Sequence, residues 1–297
     1  MRKLLSLVVL LFVLLLAACG SSGDEETTAD GNGADEADNA QEEQAEEEAT
    51  ESVELVIGAS STPHAEILEE AKPLLEEQGI IIEIETYQDY VLPNDDLASG
   101  RLDANFFQHI PFLEQTVEDT GYELTYIDGI HIEPMGVYSK NITSLDDIED
   151  GQEVIISRSI PDHGRILSLF EQQGLIKLDE NVEKSAATID DIVENPKNLY
   201  FDPAVDPLLL PEMYETEEDA LVAINTNYAI DAGLNPLEDA LFIEDENSEY
   251  VNVIAIREED KDNPVFQTLV DILQSEEIQN YILETYEGAV VPVGGNN

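Results

Sequence analysis

The run Val53-Glu54-Leu55-Val56-Ile57-Gly58, together with the thirty residues after it, narrows the fold more than any other stretch. An aliphatic-rich segment that stops at a glycine reads as a strand. After Ser60-Ser61-Thr62-Pro63-His64, the residues Ile67, Leu68, Ala71, Leu74 and Leu75 fall on one helical face with glutamates opposite, and Gly79 ends the pattern. Residues 80–84 form a second aliphatic run. A strand, a crossing helix and a strand make a parallel unit, and parallel sheets bind ligands at the carboxyl ends of their strands. Residues 60–64 and 87–90 are therefore expected on a binding edge.

A second cluster, Leu102-Asp103-Ala104-Asn105-Phe106-Phe107-Gln108-His109-Ile110-Pro111, crowds two aromatics, two amides and a histidine after a glycine turn. In an extended backbone Asn105, Phe107 and His109 share one face, and Phe106 and Gln108 share the other. One face can pack while the other lines a cleft. A helix is expected from Pro111 to about residue 120, and the extended segment of residues 129–138 leads from one lobe to the next. Residues 153–156 open the second lobe. Pro161-Asp162-His163-Gly164-Arg165 then starts an apolar helix whose free N–H groups and Arg165 suit an anion. Residues 220–224 read as a strand ending at Asn225-Thr226-Asn227-Tyr228, and residues 251–256 return to the first lobe. The expectation is an α/β protein of two lobes, with residues 53–138 and 250–297 in lobe 1 and residues 139–249 in lobe 2.

Charge limits the partners. Lys and Arg number 12 against 67 Asp and Glu, a formal net charge of -55. Such a chain repels phosphates, so nucleic acid is excluded as a partner. The single cysteine, Cys19, rules out an intramolecular disulfide. It follows Arg2, Lys3 and an apolar run over residues 4–16, which has the length of a secretory leader and is short for a membrane span. Leu16-Ala17-Ala18-Cys19 resembles a bacterial lipobox, in which the cysteine thiol takes a diacylglycerol before cleavage. Residues 1–19 are thus the expected signal, and the lipid on Cys19 the expected membrane anchor. Residues 20–52 hold no aliphatic or aromatic side chain beyond alanine, so they cannot bury enough surface to offset ordering. They read as an acidic, disordered tether with a span of roughly 30 Å or more.

Several motifs in order resemble the NlpA family of methionine-binding lipoproteins, the substrate-binding components of methionine ABC importers. They are Pro63-His64-Ala65-Glu66-Ile67-Leu68, Asp89-Tyr90-Val91-Leu92-Pro93-Asn94, the cluster at residues 102–111, His131-Ile132-Glu133-Pro134-Met135-Gly136, the run at residues 191–198, Ala232-Gly233-Leu234-Asn235-Pro236 and Gly288-Ala289-Val290-Val291-Pro292. The resemblance implies a two-lobed, type II periplasmic-binding-protein-like fold closing over an amino acid. It also implies an ABC permease and its ATPase as partners, an extracytoplasmic location, and neither catalysis nor cofactor. Carried over residue by residue, Arg165 would pair with the ligand carboxylate. Asn225 would hold the ligand's polar backbone. Tyr90, Phe107 and His109 would wall the thioether, where sulfur near a ring gains about 0.3–1.5 kcal/mol. Tyr228, Asn105, Gln108 and His131 complete the candidates.

One loop departs from the family. The family carries Asn-Asp-Pro-Thr-Asn before its Gly-Arg, whereas this chain reads Ser157-Arg158-Ser159-Ile160-Pro161-Asp162-His163 before Gly164-Arg165. Asp162 stands where the family has asparagine, and a carboxylate there favours an ammonium or another cation. The altered stretch Leu210-Pro211-Glu212-Met213 has no physical explanation. The competing reading is a transition-metal receptor, in which His64, His109, His131 and His163 converge with Asp162 or Glu133. A secreted hydrolase is disfavoured, because no Gly-x-Ser-x-Gly elbow is present and Cys19 is consumed by the anchor.

So acidic a chain strains its own folded state by self-repulsion, which molar salt screens down to about 3 Å. A salt-rich source is the expectation. The melting temperature of the mature protein should rise between low and molar salt, and a flat curve would remove this reading.

Overall fold

The structure is a computed structural model that describes residues 52–245 and 248–295. The leader, Cys19 and residues 20–51 of the tether lie outside the described residues. In chain order the strands are β1 Val53–Ser60, β2 Ile80–Tyr87, β3 Ala104–His109, β4 Leu124–Ile132, β5 Gly136–Tyr138, β6 Glu153–Ser157, β7 Lys177–Leu178, β8 Ile192–Glu194, β9 Tyr200–Val205, β10 Leu221–Ile224, β11 Phe242–Ile243, β12 Val251–Arg257 and β13 Val291–Pro292. Six of them form one sheet in the order β13-β4-β12-β3-β1-β2, and five form a second in the order β11-β5-β10-β6-β9. β7 and β8 make a small ladder of their own.

The opening unit folds as its pattern requires. β1 and β2 pair in parallel from Val53 with Ile80 to Ser60 with Tyr87, and the helix Glu66–Glu77 crosses between them. The alternation along β1 divides its side chains. Leu55, Ile57 and Ala59 enter a core with Ile67, Leu68 and Leu75 from the crossing helix, while Val56 packs on the opposite face with Leu97, Leu102 and Leu113. The helices Pro264–Leu273 and Glu276–Tyr286 complete the first core through Leu269, Val270, Leu273, Ile278 and Ile282. Each such side chain, fully buried, contributes about 1.5–3 kcal/mol. The second sheet is likewise covered on both faces, by Ile166, Leu167 and Phe170 of the helix Ile160–Gln172 and by Leu210, Tyr228 and Ala229.

Two details differ from the sequence reading. Gly136–Tyr138, read there as part of lobe 1, pairs with β10 and β11 in the second sheet. The chain therefore leaves the first lobe at Ile132 and crosses at residues 133–135. The simple alternation along β3 is also broken. The register with β12 shifts between Val253 and Ile254, so Asn252 faces His109 and Val253 faces Gln108 while Ile254 faces Phe106. A bulge of this kind re-aims side chains. Ala104 and Phe106 sink into the core, and Phe107, Gln108 and His109 all reach the cleft.

The two crossings are bonded to each other. Met135 N donates to the Glu244 carboxylate at 3.2 Å, Glu244 N donates to Met135 O at 2.9 Å, and Thr226 Oγ1 donates to Pro134 O at 2.5 Å. Close packing also fixes the helix that carries Asp162 and Arg165. A Cβ at Gly164 would fall inside contact distance of the Lys184 and Ser185 backbone carbonyls, which cannot swing away. Gly164→Ala is expected to lose about 1–2 kcal/mol, because overpacking against backbone outweighs the better helix propensity of alanine. Urea denaturation measures this, and unchanged stability would refute the close approach.

Candidate functional site

The site is assembled from strand ends and helix starts. His109 ends β3 and caps the helix Ile110–Thr120, its Nδ1 accepting from Phe112 N at 3.2 Å. That bond fixes the tautomer, leaving Nε2–H to donate to Asp162 Oδ1 at 3.0 Å across the cleft. Asp162 sits in the first turn of the helix Ile160–Gln172, where the helix dipole favours a carboxylate, and is 1% exposed. Its other oxygen accepts from Asn225 Nδ2 at 3.3 Å. Burial pushes the Asp162 pKa up, but the His109 N–H, the Arg165 charge and the Asn225 amide together hold it below the usual carboxylate value. It is an anion in the interior.

One turn further along, Arg165 is buried beneath the Tyr250 ring, with its guanidinium carbon 4.5 Å from the centroid. Nη2 donates to Glu133 O at 2.9 Å and to the Glu244 carboxylate, and Nη1 lies 4.0 Å from Asp162. Nε has no partner. Burial works against the charge, yet Glu244 and Asp162 raise the pKa and keep the group charged. Asn225, at the end of β10, uses its Nδ2 on Asp162 and leaves Oδ1 buried and unpaired.

Beneath this layer, Glu133 on the first crossing gathers partners from both lobes. Oε1 accepts from His131 Nε2 at 2.8 Å and lies 3.1 Å from His64 Nε2, which bonds Asn252 Oδ1 at 3.1 Å, and Oε2 accepts from Asn227 N at 3.1 Å. Burial drives both histidine pKa values down, to about 4 for His64 and about 3 for His131, so both are neutral donors. Burial also raises the Glu133 pKa, against the pull of His64, Arg165 and the Asn227 N–H.

The apolar wall is aromatic. Tyr90 stacks on Tyr228 at 4.9 Å and meets Phe107 and Phe112 at 6.0 and 5.9 Å. Its hydroxyl donates to Asn227 Oδ1 at 2.6 Å, while Tyr228 OH donates to Gln88 O at 2.9 Å, so each ring is tethered to the opposite lobe.

Tyr90, Phe107, His109, Arg165 and Asn225 thus line one cavity of about 30 Å³, together with Gln108, Phe112, Glu133, Asp162, Thr226, Asn227 and Asn252. Asn105, His131 and Tyr228 stand off it. Asn105 joins Asn94 and Gln108 in an amide lattice that holds Pro93, and His131 lies behind Glu133. Tyr228 faces an adjoining groove of about 440 Å³. The sequence reading did not single out Phe112, Thr226, Asn227 or Asn252. Asn227 could have been found by its place two residues after a strand-terminal asparagine. Asn252 reaches the site only through long-range strand pairing.

The four histidines do not converge. His109 meets Asp162, and His163 Nε2 lies 2.8 Å from Ser157 O. Among the described residues His64, His131 and Glu133 form the one grouping whose ligand atoms lie within 4.8 Å of one another. In it His131 Nε2 is bonded to Glu133, and His64 Nε2 is bonded to Asn252 Oδ1.

Two α/β lobes, two bonded crossings and a buried polar cleft between them define a substrate-binding receptor of the type II, periplasmic-binding class. The chain belongs to the NlpA lipoprotein family, whose pattern matches residues 55–294. It is 45% identical over 242 residues to the methionine-binding lipoprotein MetQ of Bacillus subtilis, covering 81% of this chain and 88% of that one. It is 38% identical to the D-methionine-binding lipoprotein MetQ of Escherichia coli, covering 80% and 86%. Among solved structures, a nutrient-binding protein of Burkholderia cenocepacia bound to methionine superposes with a TM-score of 0.76 at 35% identity, covering 81% of this chain and all of that one.

The neutral histidines have a thermodynamic consequence. Below the ordinary value of 6.5 the unfolded chain binds protons that native His64 and His131 refuse, so their effect is absent above pH 6.5 and costs stability as pH falls toward 4. Glu133, with its raised value, opposes this with one proton against two. His131→Gln keeps a donor for Glu133 and removes one titrating group. Its loss of denaturant-measured stability from pH 7 to pH 5 should be about 2 kcal/mol smaller than that of wild type. Equal losses would show that His131 is not held neutral.

Proposed function

We propose that this chain is an extracytoplasmic, lipid-anchored receptor that captures methionine, as the L- or D-form or a methionyl compound, and delivers it to the permease and ATPase of an ABC importer. One observation carries the reading. Among the described residues, the unpaired buried atoms at the cavity are an N–H on a cation, Arg165 Nε, and a carbonyl oxygen, Asn225 Oδ1. A zwitterionic amino acid supplies the complement to both, a carboxylate for the guanidinium and an ammonium for the carbonyl. The rings of Tyr90, Phe107 and Phe112 suit a flexible, polarisable thioether on the remaining side. The relatives named for methionine or D-methionine, and the neighbour bound to methionine, point the same way. A cavity of about 30 Å³ has the room of a single water, so a ligand of amino-acid size enters by parting the lobes.

The metal-receptor reading is not favoured. In its best donor set Glu133 lines the cavity but His131 lies buried behind it, and the Nε2 atoms of both histidines are already hydrogen-bonded within the protein.

Calorimetry on the mature protein tests the assignment. Arg165→Ala should weaken methionine by roughly 30-fold or more, because it removes a charge-assisted pair and leaves Glu244 unmatched. Phe107→Ala should weaken methionine more than alanine, which has no side chain to reach the ring. Undiminished methionine binding by Arg165→Ala would mean that the carboxylate is held elsewhere.

A further inference from the structure

We propose that Asp162 is a specificity-determining residue, which makes the site require a ligand ammonium and reject analogues carrying a hydroxyl or carbonyl in its place. The inference rests on the amino-acid reading above and adds the residue that enforces it. An asparagine can turn either an N–H or an oxygen to a ligand. A carboxylate offers acceptors only.

The surroundings of Asp162 leave it charged and only part-satisfied. Oδ1 takes one N–H from His109, whose Nδ1 is committed to Phe112 N, and Oδ2 takes one from Asn225. Each carboxylate oxygen has room for a further donor. Arg165 lies 4.0 Å away but gives its hydrogen bonds to Glu244 and the Glu133 carbonyl. The Asp162 charge therefore has no closely bonded cation of its own, while the side chain is 1% exposed and lines the cavity. The unpaired Asn225 Oδ1 lines the same space and is a second acceptor. Two acceptors, one of them an anion, suit an ammonium. A ligand without that group leaves a buried charge unmatched, which costs far more than the loss of one ordinary hydrogen bond.

The test compares methionine with its 2-hydroxy analogue by calorimetry, on mature wild type and on Asp162→Asn. Both ligands keep the carboxylate and the thioether, so the ratio of their affinities isolates the amine position. Wild type should prefer methionine by roughly 100-fold or more, and the ratio should shrink at least tenfold in the variant, chiefly through weaker methionine binding. The wild-type ratio needs no variant to fold. Equal weakening of both ligands in Asp162→Asn would show that the carboxylate only holds His109 and Asn225 in place, which overturns the proposal. Equal wild-type affinity for the two ligands overturns it while leaving the amino-acid reading intact. Failure of wild type to bind either overturns both.

Discussion

The carboxylate of Glu133 is the point on which the two lobes agree. It lies on a crossing segment, takes the His131 N–H and lies 3.1 Å from His64 Nε2 of the first lobe, and takes the Asn227 N–H of the second. Its own carbonyl oxygen receives Arg165. Buried charge is tolerated only when its lone pairs are filled, and here every donor comes from a residue fixed by packing. The aromatic wall depends on the same anchor, because Asn227 holds Tyr90 through its side chain while its backbone holds Glu133. A change of the Glu133 side chain would therefore disturb two imidazoles and, through Asn227, a tyrosine together.

Charge is distributed very differently outside. Pairs such as Arg101 with Glu85 and Asp96, or Lys184 with Glu171, sit in solvent and contribute little each. With 12 basic side chains against 67 acidic ones, most surface carboxylates must rely on dissolved cations. In the cleft Arg165 meets three carboxylates, those of Glu244, Asp162 and Glu133, each held by fixed neighbours. Solvent ions thus govern how well the shell tolerates itself, and fixed neighbours govern the cleft.

Much of this was legible in the sequence wherever the controlling physics is local. The opening strand, helix and strand appear where alternation and glycines place them, and the return of the chain in β12 follows from an aliphatic run. Tyr90, Phe107 and His109 lie in motifs visible along the chain, Arg165 and Asn225 mark a helix start and a strand end, and all five line one cavity. The misses are long-range. Gly136–Tyr138 looks like a continuation of β4, and only its partners β10 and β11 assign it to the other sheet. Gln108 faces the cleft because a register shift in β12, far along the chain, undoes the alternation of β3. Asn105 was a plausible ligand residue by its chemistry, but it is spent on an internal amide lattice that no pattern in β3 announces.

The paired crossings carry a mechanical meaning. Residues 133–135 and Glu244 are joined by Met135 and Glu244 bonding to each other twice, and Thr226 ties the first crossing to the second lobe. Two covalent links laced side by side resist twist and slide, leaving a single swing axis as the soft coordinate. Capture of cargo is then converted into one angle. A membrane partner that gauges only the spacing of the two outer faces can sense a filled receptor without touching what it holds, so selectivity rests in the cleft while the translocating machinery stays indifferent to the chemistry of its passenger.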